Sequence, residues 1–246
     1  MEHNNYMTDI DTAEVDYVSR WKLNAKQHFD DGDYQWLCEF IEKHIAVDKG
    51  IVEIGCGAGY STLSFAKNYF NLVAIDINKQ ALDATYNLLD EHKLKDRVVL
   101  AQGDIVHNTN EIEVFLRNNS FLINIVVLCN PGGNVSSEIT KTEYALLRRF
   151  GFSENELSNN NVNLLHKWAL IYATCLLSIT TDRMLIIVER GTKEELDIEL
   201  EQIESETGVR KRAVDFRKIR CAPQGGIPLG MTDSEQYWGV ALYYPR

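Results

Sequence analysis

The stretch Ile51-Val52-Glu53-Ile54-Gly55-Cys56-Gly57-Ala58-Gly59-Tyr60-Ser61-Thr62 constrains this 246-residue chain more than any other. It begins as an apolar run of the kind that forms a buried strand. It then passes through three glycines at alternate positions into an amphipathic helical pattern of Leu63, Phe65, Ala66, Tyr69 and Phe70. Strand, glycine turn and helix together let backbone approach a nucleotide-like ligand closely. Glycine suits such a turn because it accepts positive φ and leaves the space beside the backbone empty. The free amides at the start of the following helix favour an anionic group.

Two ligand classes use this layout. The dinucleotide fingerprint G-x-G-x-x-G needs a third glycine three residues after the second. Counted from Gly55, that position holds Tyr60. The stretch reads instead as E-x-G-x-G-x-G, with Glu53 two residues before the first glycine. A carboxylate so placed suits a ligand that carries positive charge. On these residues, Glu53 to Gly59, the chain resembles the class I (Rossmann-like) S-adenosylmethionine-dependent methyltransferases. The resemblance implies S-adenosyl-L-methionine as cofactor, held at Glu53, Gly55, Cys56, Gly57 and Gly59.

The rest of the chain alternates strand and helix signals. Helices are predicted over 17–30, 34–46, 79–92, 111–118, 162–179 and 193–207, and a further one within 134–150. Strands are predicted over 51–54, 72–75, 97–101, 123–129, 183–188, 212–220 and 236–244. Alternation of this kind predicts an α/β fold, a doubly wound and mostly parallel seven-stranded sheet with helices on both faces. The last two strands have no helix between them, which predicts an antiparallel last strand. The resemblance implies the same ending. The expected organisation is an N-terminal extension over 1–33 and one Rossmann-like domain over 34–246, with an insertion at about 134–161.

In an open parallel sheet, ligands bind beyond the carboxyl ends of the strands. That rule selects further candidates. Asp76 ends the second strand, 17 residues beyond Gly59, where a carboxylate can accept the ribose hydroxyls. Asp76-Ile77-Asn78 also reads as a helix N-cap. After the third strand comes Gly103-Asp104-Ile105. The resemblance implies that Asp104 meets the adenine amino group, with Ile105 or Ile77 flanking the ring; a plain turn aspartate is the alternative. After the fourth strand comes Asn130-Pro131-Gly132-Gly133. Families that methylate exocyclic or amide nitrogens often carry Asn/Asp-Pro-Pro-aromatic here, so the resemblance assigns Asn130 and Pro131 to the catalytic position. Gly132 and Gly133 depart from that pattern, and Pro-Gly is by itself a turn signal.

Methyl transfer from a sulfonium is an in-line displacement by an already activated donor, so alignment is the protein's main task. His28, His107, His166, Tyr34, Tyr60 and Tyr144 are available as bases, and spacing singles out none of them. Trp21, Tyr34 and Trp36, the insertion, and the Pro/Gly-rich loop 222–235 are the segments expected to read the acceptor.

Composition narrows the partners. The net charge is −11 and the pI about 5.0, which argues against a broad phosphate-binding surface. The basic cluster Arg210, Lys211, Arg212, Arg217, Lys218 and Arg220 would be split between two faces of a strand. Five cysteines, Cys38, Cys56, Cys129, Cys175 and Cys221, lack metal-ligand spacing and read as reduced thiols in a cytoplasmic protein. The polar N-terminus is no signal peptide, and no apolar run is expected to approach the roughly 20 residues of a membrane span. The expectation is a methyltransferase acting on a small-molecule or peptide acceptor, nitrogen ahead of oxygen. A nucleic-acid base N-methyltransferase (RNA or DNA) and a non-catalytic S-adenosylmethionine-binding module are the alternatives.

Overall fold

The computed structural model describes residues 22–45, 50–69, 71–118, 123–129, 138–220 and 235–245. Helix α1 covers 22–30 and α2 Asp33–His44. Alternation then begins with β1 (Gly50–Ile54), α3 (Tyr60–Asn68), β2 (Leu72–Asp76) and α4 (Lys79–Glu91). It continues through β3 (Val98–Gln102), α5 (Thr109–Asn118) and β4 (Ile123–Cys129). Two short helices, α6 (Lys141–Arg149) and α7 (Glu154–Asn159), precede α8 (Val162–Thr181). The chain closes with β5 (Met184–Gly191), α9 (Lys193–Thr207), β6 (Arg210–Lys218) and β7 (Tyr237–Tyr244).

The seven strands form one sheet in the order β3-β2-β1-β4-β5-β7-β6. Strands β1 to β5 pair in parallel. Strand β7 slots antiparallel between β5 and β6, so it alone runs against the others. The predicted fold class is therefore the observed one. The apolar runs Ile51–Ile54 and Ile125–Leu128 are buried because helices cover both faces. One core layer joins Val52, Ile54, Val126 and Leu128 to α5, α8 and α9. The other joins Ile51, Ile125 and Val127 to α2 and α3.

Three local features depart from the sequence reading. A 3₁₀ turn, Lys95–Arg97, leads into β3. The short helix α7 carries its own capping box, Ser153 with Glu156, and had no apolar periodicity long enough to announce it. Helix α8 runs 20 residues with mean hydropathy 1.3 over its most apolar window, so it does reach the length and composition of a spanning helix. Most of that window, 61%, is buried inside the fold, with Leu165, Trp168, Ile171 and Tyr172 in the core. The length of an apolar helix alone does not separate the two settings.

The N-terminal helices lie against the same body. Phe29 of α1 meets the Tyr60 ring at 5.7 Å, and His28 meets Trp238 of β7 at 4.6 Å. Cys38, Cys56 and Cys175 are buried free thiols. The basic cluster on β6 is largely consumed by carboxylates. Arg217 binds Asp33 at 2.6 Å, Arg220 binds Asp31, Lys218 binds Glu235 and Lys211 binds Glu201 at 3.0 Å.

Candidate active site

The carboxyl ends of β1 and β2 are adjacent, with Glu53 opposite Ala74 and Ile54 opposite Ile75. The glycine turn leaves β1 here. All three glycines have positive φ: 74° at Gly55, 53° at Gly57 and 82° at Gly59. A Cβ added at Gly55 or Gly57 would meet nothing within 4 Å, so the turn exposes bare backbone to open space. Gly59 is different. A Cβ there would come within 2.8 Å of the Thr85 Cα on α4, so this glycine serves close packing of helix against turn.

Two side chains clamp the turn. Asp76 Oδ2 accepts the Gly57 N–H at 2.8 Å. Thr85 Oγ1 donates to the Gly57 carbonyl at 3.1 Å. Burial raises the Asp76 carboxyl above its usual range, and the amides of Asn78, Gly57 and Ile77 oppose that rise. The helix cap that the sequence offers to Asp76 belongs to Asn78, whose side chain accepts from the amides of Gln80 and Ala81. Asp76 stays at the strand end, 8% exposed, with spare lone pairs on its oxygens.

Glu53 lies beneath the turn rather than on its surface. It is fully buried. Its carboxylate accepts the Ser61 hydroxyl and, at 2.6 Å, the Thr62 hydroxyl, both in the first turn of α3. Burial pushes its carboxyl up to about 7; the two hydroxyls lower it and the charge of Asp76 adds to the rise. Because β1 and β2 pair in parallel, Glu53 and Asp76 sit near the same end of the sheet. The N-cap of α3 is Gly59, which has no side chain to satisfy the helix's first amides. Cys56 is buried, its Sγ 3.7 Å from Thr85 Oγ1.

Further along the edge, Gln102 of β3 pairs with Asp76. Ile77 is 53% exposed, while Ile105 is in the core at 4%. Of these two, only Ile77 offers a surface for a ring. Asp104 is a turn aspartate: its Oδ1 accepts from the amides of Val106 and His107, and its Oδ2 pairs with His107 Nδ1 at 2.6 Å. His107 Nε2 reaches Thr140 Oγ1 at 3.0 Å. Thr140 caps α6 in a box with Glu143, and Glu143 meets the buried His166 of α8 at 2.5 Å. A continuous polar chain thus ties the β3 edge to α6 and α8.

Asn130 and Pro131 lie outside the described residues, as do Trp21 and most of 222–235. Among the other base candidates, His28 is buried against Asp33 at 2.8 Å, and Tyr144 donates to Glu154 at 2.5 Å. Thr85, which holds the turn through the Gly57 carbonyl, is not singled out by the sequence. Its one signal was its place on the inward face of α4, four residues from both Ala81 and Leu89. A cleft of about 620 Å³ also runs beside the turn, between Lys22, Ala58, Tyr60, Gln80, Ala84 and Asn87. Gly55, Gly57 and Asp76 do not line it.

The family model described as RNA cap guanine-N2 methyltransferase matches residues 48–172, half of the chain. Over 53 residues the chain is 42% identical to a Methanothermobacter thermautotrophicus protein described as "probable cobalt-precorrin-6B C(15)-methyltransferase (decarboxylating)". That match spans 22% of this chain and 28% of the relative's length. Among solved structures, the methyltransferase domain of bacterial CtHen1 is similar with a TM-score of 0.51 and 13% identity, over 89% of this chain and all of that one. A Thermoplasma acidophilum protein is similar with a TM-score of 0.51 and 10% identity, over 92% and 97% of the two chains. At such identities these structures speak for the fold. The match over β1 to α8, carried on a sheet of this order and with the glycine turn in place, identifies the chain as a class I S-adenosylmethionine-dependent methyltransferase belonging to the RNA cap guanine-N2 methyltransferase family.

Proposed function

We propose that the protein transfers a methyl group from S-adenosylmethionine to an amino nitrogen, with the N2 of guanine in RNA as the acceptor. The observation that carries the cofactor half is the open space over Gly55 and Gly57 beside the Asp76 carboxylate. The uncapped amides of α3 would hold the cofactor's carboxylate. Asp76 would accept its ribose hydroxyls, and Ile77 would lie against its adenine. Asp104 would take the adenine amino group by exchanging part of its His107 contact. The buried Glu53 would act from below, orienting the α3 turn and adding negative field near the cofactor's cationic end. When bound, the cofactor supplies an activated methyl, so the chain need only align the acceptor and exclude water.

The acceptor half is supported by the family match and by Asn130-Pro131 after β4. The Asn130 side-chain oxygen and the Pro131 carbonyl would accept from the amino group and turn its lone pair toward the methyl carbon. A small-molecule acceptor is the second reading. It is favoured by the net charge of −11, by the glycines that follow Pro131 where an aromatic would stack a base, and by the curated relative's name.

Calorimetry with S-adenosylmethionine and its demethylated product tests the first half. Labelled-methyl transfer to m7G-capped RNA, to uncapped RNA and to a metabolite extract tests the second. No heat with either cofactor form would remove the proposal at its root. Label appearing only in the metabolite arm would select the second reading.

A further inference from the structure

On the opposite face of the sheet from the glycine turn, the end of β5 carries a buried acid that the cofactor does not need. Val188 pairs with Cys129 at the end of β4. Glu189 therefore lies one residue further toward the ligand edge, beside the place where the chain runs on into Asn130. Glu189 is 3% exposed. Its Oε2 is 3.1 Å from Nζ of Lys167 on α8. The same Nζ binds both oxygens of Glu199 on α9, at 3.0 and 2.9 Å. Glu189 Oε1 is buried and, among the described residues, has no hydrogen-bond partner.

This arrangement has more negative charge than its own structure uses. One ammonium faces two carboxylates, and Glu199, partly exposed, already neutralises it. Burying a second carboxylate with one oxygen bare costs free energy that an apolar residue would not. Such an orphan in a native fold asks for a donor from elsewhere. It lies near the carboxyl end of β5, beside the end of β4, on the sheet edge where open parallel sheets bind their ligands.

We propose that Glu189 reads the methyl acceptor, its bare Oε1 accepting a hydrogen bond from an N–H on the edge that carries the amino group. Guanine offers two adjacent donors there, the ring N1–H and the exocyclic amine. Adenine presents a ring acceptor instead and would be repelled. Lys167 holds the carboxylate in place, no proton moves to it during transfer, and the proton shed by the methylated nitrogen passes to solvent. The inference rests on the amino-nitrogen reading given above. Burial pushes the Glu189 carboxyl up to about 7, opposed by Lys167 and reinforced by Glu199. The groups facing it are Lys167 of α8, Glu199 of α9, Tyr243 of β7 and the Arg190 amide. Recognition should therefore strengthen as pH rises through about 7 and the carboxyl ionises.

The test compares wild type with E189Q and E189D, using m7G-capped RNA as acceptor. An analogue whose cap base is hypoxanthine, which keeps the ring N–H and lacks the amine, serves as inhibitor. In E189Q the amide oxygen would stay on Lys167 and the NH2 would meet the acceptor's N–H donor to donor, so the acceptor KM should rise roughly tenfold or more, the range expected for a lost hydrogen bond to a charged group. The dissociation constant of the demethylated cofactor should stay unchanged. The hypoxanthine analogue should inhibit wild type and fail against E189Q. Wild-type acceptor KM should fall with rising pH through about 7, and E189Q should lose that dependence. Should E189Q not fold, E189D, which keeps the charge and withdraws the oxygen, should raise KM and keep the pH dependence. An unchanged acceptor KM, or equal losses of cofactor and acceptor binding with a lowered Tm, would overturn the inference alone. Wild-type methylation confined to hydroxyl or carbon acceptors would overturn the amino-nitrogen reading and this inference with it.

Discussion

The Gly57 amide donates to Asp76 Oδ2 at 2.8 Å, across 19 residues of chain. This bond pins the glycine turn to the end of β2 and sets the carboxylate at the rim of the crevice. One side chain therefore shapes the turn and, in the proposed site, would also face the cofactor. Asp76→Ala should weaken binding of S-adenosylmethionine by roughly tenfold or more, since a charged hydrogen-bond acceptor is lost. Titration calorimetry reads the effect. An unaltered affinity would remove Asp76 from the cofactor site.

The glycines of the turn should separate by function. Gly59→Ala forces a Cβ to within 2.8 Å of Thr85 Cα at a φ of 82°, so it should destabilise the fold by roughly 2 kcal/mol or more. Gly57→Ala meets no neighbour and should lose only about 1 kcal/mol from its left-handed backbone. It should lose cofactor affinity far more, because the methyl would occupy the open space proposed for the cofactor. Urea denaturation and calorimetry on the same two variants check the split.

Glu53 makes stability fall as pH rises. Its folded carboxyl is raised to about 7, above the ordinary unfolded value near 4.3. The protonated form is favoured in the fold. Its contribution is complete below the unfolded value and is lost as pH climbs through about 7, amounting to roughly 4 kcal/mol. Glu189 adds a loss over the same window. Glu53→Gln should flatten its share, so the stability difference between variant and wild type should widen in favour of the variant from pH 5 to pH 8. A parallel pair of pH–stability curves would refute the assignment.

Asn130→Ala should lower turnover at least tenfold while leaving the cofactor dissociation constant within about twofold, as for a group acting mainly on the acceptor. Single-turnover methyl transfer separates the two effects. A variant as fast as wild type would take Asn130 out of the site.

Thr140→Ala removes the α6 cap and the contact to His107 together. The loss should be about 1 kcal/mol by thermal or urea unfolding, the usual worth of an N-cap. Because His107 also holds Asp104, adenosine-containing ligands should bind with altered affinity in this variant.

Local chemistry by itself determined the strand–glycine–helix unit, the alternation of elements and the acids at strand ends. These follow from periodicity and from the backbone freedom of glycine, which are properties of neighbouring residues. The parallel sheet followed because continuous apolar runs such as Ile125–Leu128 can be buried only between two helical layers. Tertiary structure alone decided what each group at the edge does. Glu53 and Asp76 look alike as acids near glycines, yet one is sealed under α3 by Ser61 and Thr62 and the other stands at the rim. Ile77 and Ile105 look alike as ring-flanking residues, yet only Ile77 is exposed. Thr85 and Glu189 carried no motif, because their partners, Gly57 and Lys167, come from other elements. Side-chain roles of this kind depend on contacts between distant segments, which no local pattern encodes.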